Sequence, residues 1–199
     1  MDLLIKENYS SLNLWKKINL LSEDQIKIIA KGLRWTVENV QSAVLVGGTA
    51  VVHYLTNNRK LTPDLDFLVD DVSIVKEFLY DENKKYKPLN TGTGYNLGIV
   101  VNELNCDYLD VNVGNVKMNK LILETHNSVT IGGYKIRIIN PELLTVMKLE
   151  IGRDRDLEDA LSLLSSGVCD KNEYISYANH LKNTLQDYDS IINYQDLIK

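Results

Sequence analysis

Residues 44 to 71 read VLVGGTAVVHYLTNNRKLTPDLDFLVDD, and no other stretch restricts the fold as strongly. Residues 43–46 form a short apolar run ending in Gly47-Gly48, the pattern of a buried strand entering a tight turn. Residues 49–55 follow without a spacer and read as a helix. Glycine lets the backbone turn sharply and come close to a ligand. The free N–H groups of a helix's first turn favour an anion such as phosphate, and Thr49 adds a hydroxyl beside them. Taken alone, Gly-Gly before a helix is usually only a turn.

The acids that follow give that turn a partner. Residues 65–69 form a second strand after the Thr62-Pro63 breaker, and Asp64-Leu65-Asp66 opens it. In a strand, side chains two apart share a face, so Asp64 and Asp66 stand together while Leu65 and Phe67 face the other way. Two such carboxylates repel unless a cation lies between them, and an oxygen-only set suits Mg²⁺ or Mn²⁺. An edge strand with a polar outer face gives the same pattern. A divalent-metal phosphoryl site needs a third acid, and residues 106–113, CDYLDVNV, offer Asp107 and Asp110. Leu109, Val111 and Val113 make the apolar face and Asp107 shares their parity, so strand phase favours Asp110.

Around this centre the chain alternates helices and strands. Ser22-Glu23-Asp24-Gln25 is a capping box, and Ile26, Ile29, Ala30, Leu33 and Val37 recur at helical spacing over 22–39. A shorter helix is expected over 10–20 and another over 73–83. Strands are expected over 96–101, 108–113, 129–131 and 135–139, the last two flanking the Gly132-Gly133 hairpin. Asn140-Pro141 then opens a helix with a Leu144, Met147, Ile151 stripe, which Gly152 kinks or ends. Leu157, Ala160, Leu161 and Leu164 continue to Gly167. On one unbroken helix, Arg155 and Asp159 fall within about 20° of Lys148, and Asp156 about 80° away. The expected fold is α/β of the α+β kind: a mixed sheet flanked by helices over 1–140, with its N-terminal helices, and a small helical C-terminal part over 141–199.

Composition excludes several classes. With 44% apolar and 25% charged residues, the chain is not a disordered tail, a collagen-like rod or a coiled coil. Its net charge of -5 and lack of a Lys/Arg block disfavour a broad grip on nucleic acid, though a local basic groove remains open. Cys106 and Cys169 lack metal-ligand spacing, and no leader pattern or spanning apolar run is present. The expectation is a cytoplasmic protein with reduced thiols and no membrane contact.

GGTA, then DLDF, then a later lone Asp among strand residues resembles the nucleotidyltransferase superfamily. Within it, the chain looks like the AbiEii-type group of bacterial proteins, many of them toxins of toxin–antitoxin pairs. That group shows Arg-x-Thr-x-Asp-hydrophobic-Asp, and here Lys60-Leu61-Thr62-Pro63-Asp64-Leu65-Asp66 stands, with Lys60 for the usual Arg and Arg59 beside it. NPELLTVMKLEIGRDRDLEDALSLL, residues 140–164, is similar to the family's later Lys-containing helix and Arg-Asp-rich segment. The resemblance implies Asp64, Asp66 and Asp110 as ligands of Mg²⁺ (or Mn²⁺), with a nucleoside triphosphate (ATP or another NTP) as substrate. It implies Gly47, Gly48 and Thr49 around the departing phosphates, and Lys148 as a cation on the triphosphate. Lys60, Arg155 and Asp159 would complete the nucleotide contacts. The implied acceptor is a tRNA or other RNA 3′ end, with an aminoglycoside-like small molecule as the rival and a protein hydroxyl as a third, and the implied partner is a cognate antitoxin. A catalytically silent nucleotide- or partner-binding module is the alternative from another class.

Overall fold

Val44–Val46 (β1) is apolar throughout, as a strand paired on both edges with all three residues buried requires. The computed structural model describes residues 33, 37–38, 42–55, 64–69, 87–88, 95–101, 106–112, 116–131 and 133–198. For 64, 87–88, 95–101 and 106–112 it describes the backbone. After β1 come α1 (Gly47–Tyr54), β2 (Asp64–Val69), β3 (Lys87–Pro88), β4 (Tyr95–Val101) and β5 (Cys106–Asn112). They are followed by α2 (Val116–Glu124), β6 (Asn127–Ile131), β7 (Tyr134–Ile138), α3 (Pro141–Ile151), α4 (Asp154–Ser166), α5 (Lys171–Leu181) and α6 (Tyr188–Asn193). A 3₁₀ turn, Tyr194–Leu197, ends the described chain.

The strands form one mixed sheet in the order β3-β5-β4-β2-β1-β7-β6. β1 runs antiparallel to β2, with Val44 opposite Leu68, Leu45 opposite Phe67 and Val46 opposite Asp66. It runs parallel to β7, with Leu45 opposite Ile138, and the Ile139 N–H donates to the Leu45 carbonyl at 3.0 Å. This is the expected α+β architecture of a mixed sheet flanked by helices. The core joins sheet residues such as Leu45, Leu65, Phe67 and Ile138 to Leu143, Leu144, Leu163, Leu164 and Tyr174 from the helices, all fully buried or nearly so.

Consecutive helices follow β7. Asn140 is extended (φ -63°, ψ 149°), Pro141 opens α3, and every residue from Pro141 to Leu149 is buried. Gly152 ends α3 in the left-handed conformation (φ 68°), its N–H donating to the Lys148 carbonyl at 3.1 Å, a glycine stop. α4 therefore starts on a new axis, and Gly167 (φ 82°) stops it in turn. Asp170 caps α5, accepting from the N–H groups of Asn172 and Glu173 at 2.8 and 3.0 Å. Among the described residues no helix is long and apolar enough to cross a membrane.

Several element boundaries differ from expectation. α1 begins at Gly47, so the turn glycines are its first residues and not a linker before it. β5 covers Cys106–Asn112 rather than 108–113, with a register irregularity between Val100 and Val101 of β4. α2 and β3 had no counterpart in the sequence reading. Of the 22–39 helix, Leu33, Val37 and Glu38 are described and helical, while the helices over 10–20 and 73–83 lie outside the described residues.

Leu45→Ala should lower unfolding free energy by about 2–5 kcal/mol, the range for truncating a fully buried leucine. Leu161→Gln, on an exposed position of α4, should change it by no more than about 0.5 kcal/mol. Urea midpoints at constant slope check both.

Candidate functional site

The site is built where β1 ends. The β1–β2 register sets Val46 directly opposite Asp66, and the chain turns away at the next residue, Gly47. Gly47 has φ +64°, and a Cβ placed there would lie 2.0 Å from Asp66 Oδ2 and 2.7 Å from its Cγ. The turn thus comes close enough to the Asp66 carboxylate that only glycine fits, for backbone conformation and for space at once. Thr49, two residues further, is buried in α1.

The acid row extends across the sheet. Asp66 pairs with Gly98 of β4, and Gly98 pairs with Asp110 of β5. Residues directly opposite in a ladder belong to one face, so Asp66 and Asp110 hold two positions of one row, about 9.6 Å apart by strand spacing. Gly98 puts no side chain between them. Asp64 is two residues before Asp66 on β2, opposite Val100, which in turn pairs with Tyr108. Asp107 falls out of this row, beside the irregularity at Val100 and Val101. Asp64, Asp66 and Asp110 are an oxygen-only donor set of the kind a hard divalent cation takes. Among the described residues no group of three or more His, Cys, Asp or Glu side chains converges, and Asp66 is the one acid of the three whose side chain is described. Arg59 and Lys60 lie outside the described residues.

A second cluster forms at the α3–α4 junction. Lys148 Nζ, in the last turn of α3, donates to Asp156 Oδ1 at 2.5 Å and lies 3.1 Å from Asp159 Oδ2, all three side chains being 95% or more buried. Asp156 turns its other oxygen to Arg153, whose Nε donates to Oδ2 at 2.5 Å while 74% of the Arg153 side chain is exposed. Two cations meet two carboxylates, which is how buried charge is tolerated. This corrects the single-helix geometry. Gly152 breaks the axis, so Asp156 becomes a direct partner of Lys148, not a residue 80° away, while Arg155 sits exposed on α4. The Lys148 charge, expected on a triphosphate, is enclosed by Asp156 and Asp159.

Electrostatics tie the two clusters together. Burial pushes the Asp156 carboxyl up, but hydrogen bonds from Arg153 and Lys148 and their charges outweigh it, leaving it below the ordinary range. The Arg153 guanidinium is pushed above its ordinary value, first by its hydrogen bond to Asp156 and then by the charges of Asp156, Asp66 and Asp159, against some desolvation. Arg153 thus feels the Asp66 charge, and α1, which starts beside Asp66, packs on both α3 and α4. The sequence reading did not single out Arg153. Its signal was its place directly after a glycine stop, where a helix cap is due.

His53 and Cys169 read as packing groups. His53 stacks edge-on against Tyr54 with ring centroids 5.2 Å apart, and desolvation lowers its pKa. Burial raises the Cys169 thiol to about 11, beside Thr145 Oγ1 at 3.5 Å, so at neutral pH it stays a protonated, inert thiol.

A family model described as a nucleotidyl transferase of unknown function, DUF2204, matches residues 22–194. No curated protein and no solved structure matches the chain.

Two outcomes follow from this geometry. Gly47→Ala and Gly167→Ala each place a side chain at positive φ, for a loss of about 1–2 kcal/mol. Nothing lies within 4 Å of a Cβ at Gly167, so the larger loss belongs to Gly47→Ala, and thermal denaturation should show that excess vanish in an Asp66→Gly background. Asp156 has a depressed folded pKa, so its contribution is fully present above the unfolded value near ~3.9 and is lost as pH falls through the folded one. Asp156→Asn should be less stable at pH 7 yet lose less stability than the unmutated protein on going from pH 5 to pH 2.5, measured by denaturant midpoints.

Proposed function

The chain belongs to the nucleotidyl transferase family of unknown function whose model spans residues 22–194, and from that premise we propose that it moves a nucleoside monophosphate from an NTP to an acceptor hydroxyl. The acceptor oxygen forms a bond to the α-phosphorus, the bond from that phosphorus to the β-bridging oxygen breaks, and pyrophosphate leaves. In this reading the acceptor's proton passes to Asp110, which shares the row of Asp66, or to solvent. The observation that carries this reading is the approach of Gly47 to the Asp66 carboxylate. That approach leaves a helix-opening turn and a metal-type acid where one ligand could touch both.

Asp64, Asp66 and Asp110 would hold Mg²⁺ or Mn²⁺, which when bound neutralises the triphosphate and polarises the reacting oxygens. The backbone of Gly47, Gly48 and Thr49 would receive the departing phosphates at the start of α1. Phe67 and Leu65, on the other face of β2 and fully buried or nearly so, anchor the strand so that the acids do not drift. The resemblance to the AbiEii-type group supports an RNA 3′ end, such as that of tRNA, as acceptor, with a toxin–antitoxin pair as the setting. The net charge of -5 favours a cationic small acceptor of the aminoglycoside kind as the second reading.

The test supplies each α-labelled NTP with Mg²⁺ and either total RNA or an aminoglycoside. Label should enter one acceptor with release of pyrophosphate, and Asp66→Ala should reduce transfer on the order of 10²–10³-fold or more, 10²–10³ being roughly what removing one preorganised electrostatic stabiliser costs. Transfer from γ-labelled NTP, or triphosphate binding with no transfer to any acceptor, would replace the reading with a kinase or a silent module.

A further inference from the structure

We propose that Arg153 is the phosphate-binding cation of this site, and that Lys148 and Asp156 are buried positioning residues that aim it. The inference rests on the nucleotidyl transferase reading and deepens it: it assigns the anionic part of the nucleotide to a residue that sequence spacing passed over.

Geometry separates Arg153 from the other cations of the block. Lys148 is enclosed, with both its carboxylate partners buried, so contact with a ligand would require breaking two buried pairs. Arg153 is the reverse case. Its Nε is tied to Asp156, and its side chain is 74% exposed. A guanidinium is planar and rigid, so fixing Nε fixes the plane and direction of the two terminal nitrogens. Such a fork matches two phosphate oxygens at once, which an ammonium does not. Because the orientation is already set, little rotamer entropy remains to be lost on binding.

The anchor is unusually firm for a surface arginine. Asp156 is 1% exposed and its first oxygen is held by Lys148, so the carboxylate cannot swing out with the arginine. An ordinary surface pair holds two mobile side chains and contributes little. Here one partner is immobile, and the arginine alone is left to reach outward. Position completes the case. Arg153 is extended (φ -70°, ψ 151°) at the head of α4, directly after the Gly152 break. α4 packs on α1, the helix that starts at Gly47 against Asp66. Arg153 is also near enough to Asp66 for that carboxylate's charge to act on it, so an anion bridging turn and metal-type acids would have the guanidinium within reach.

The test is equilibrium binding of each α-labelled ribonucleoside triphosphate, with steady-state transfer measured in parallel. Arg153→Ala should weaken triphosphate binding about 10-fold or more and raise KM for NTP by the same factor, with kcat changed less. Arg153→Lys, which keeps charge but loses the fork, should recover only part of the loss. Asp156→Asn should reproduce the KM effect with Arg153 still present, a split that a purely structural role would not yield. Lys182→Ala, which removes one positive charge from over the Tyr188 ring, should leave both quantities unchanged. Unaltered binding in Arg153→Ala, with transfer by the unmutated protein intact, overturns this inference and leaves the transferase reading standing. If the unmutated protein neither binds triphosphate nor transfers label, both fall. Arg153→Lys keeps the test sound should Arg153→Ala melt early, because its conservative change falls on a largely exposed side chain.

Discussion

The close approach of the Gly47 turn to the Asp66 carboxylate is the constraint from which the rest of the arrangement follows. It holds only while Val46 stands opposite Asp66, and that register is secured from both sides of β1. A slip of one residue would reverse every side chain of β2, sending Leu65 and Phe67 to the polar face and Asp66 into the core. The apolar packing that stabilises the sheet is thus the same packing that sets the acid beside the turn. Gly98 extends this economy, since the row from Asp66 to Asp110 crosses β4 at the one residue type that places nothing in between.

The helical side answers the acidic sheet with a self-neutral cluster. Lys148 and Arg153 balance Asp156 and Asp159. Replacing a buried ion pair by well-packed apolar groups is often neutral or stabilising, so stability alone gives a weak account of this one. Geometry gives a better account. Gly152 bends the chain so that α4 returns its first turn over the end of α3, and the ion pairs lock that return at a single angle. An apolar contact would hold the helices together without fixing where the exposed arginine points.

Much of this was legible in the residues, and what was not has identifiable causes. The β1 run, the Gly-Gly turn, β2, the β6–β7 hairpin and the Pro141 and Gly167 helix limits announce themselves by period and by turn chemistry. Strand parity in β5 separates Asp107 from Asp110, and the ladder places Asp110 in the row of Asp66. β3 is two residues long and includes Pro88, so no periodicity exists to read. α2 buries Asn119 beside Met118 and Ile122, and a polar residue inside the stripe hides its period. The Lys148 cluster failed for a different reason. A helical wheel assumes one axis, and a left-handed glycine at 152 divides it, so partners eight residues apart meet where the wheel sets them aside.

The C-terminal helices bear on the site through α3, the helix that carries Lys148. The Asp170 N–H donates to Glu142 Oε1 at 2.7 Å, and the Gln186 N–H donates to Glu150 Oε2 at 2.9 Å, so α3 is gripped near both of its ends from later parts of the chain. Tyr174 ties α5 to α6 through its hydroxyl, which donates to the Ile191 carbonyl at 2.5 Å. Burial raises the Glu142 carboxyl while the Asp170 N–H favours its charged form, so that clasp is strongest when Glu142 is ionised. Hydrogen bonds near both ends oppose rotation of α3 about its axis, the motion that would carry Lys148 away from Asp156. The last thirty residues, polar and without a recognisable motif, therefore support the helix that carries Lys148, and through Lys148 the contact between Asp156 and Arg153.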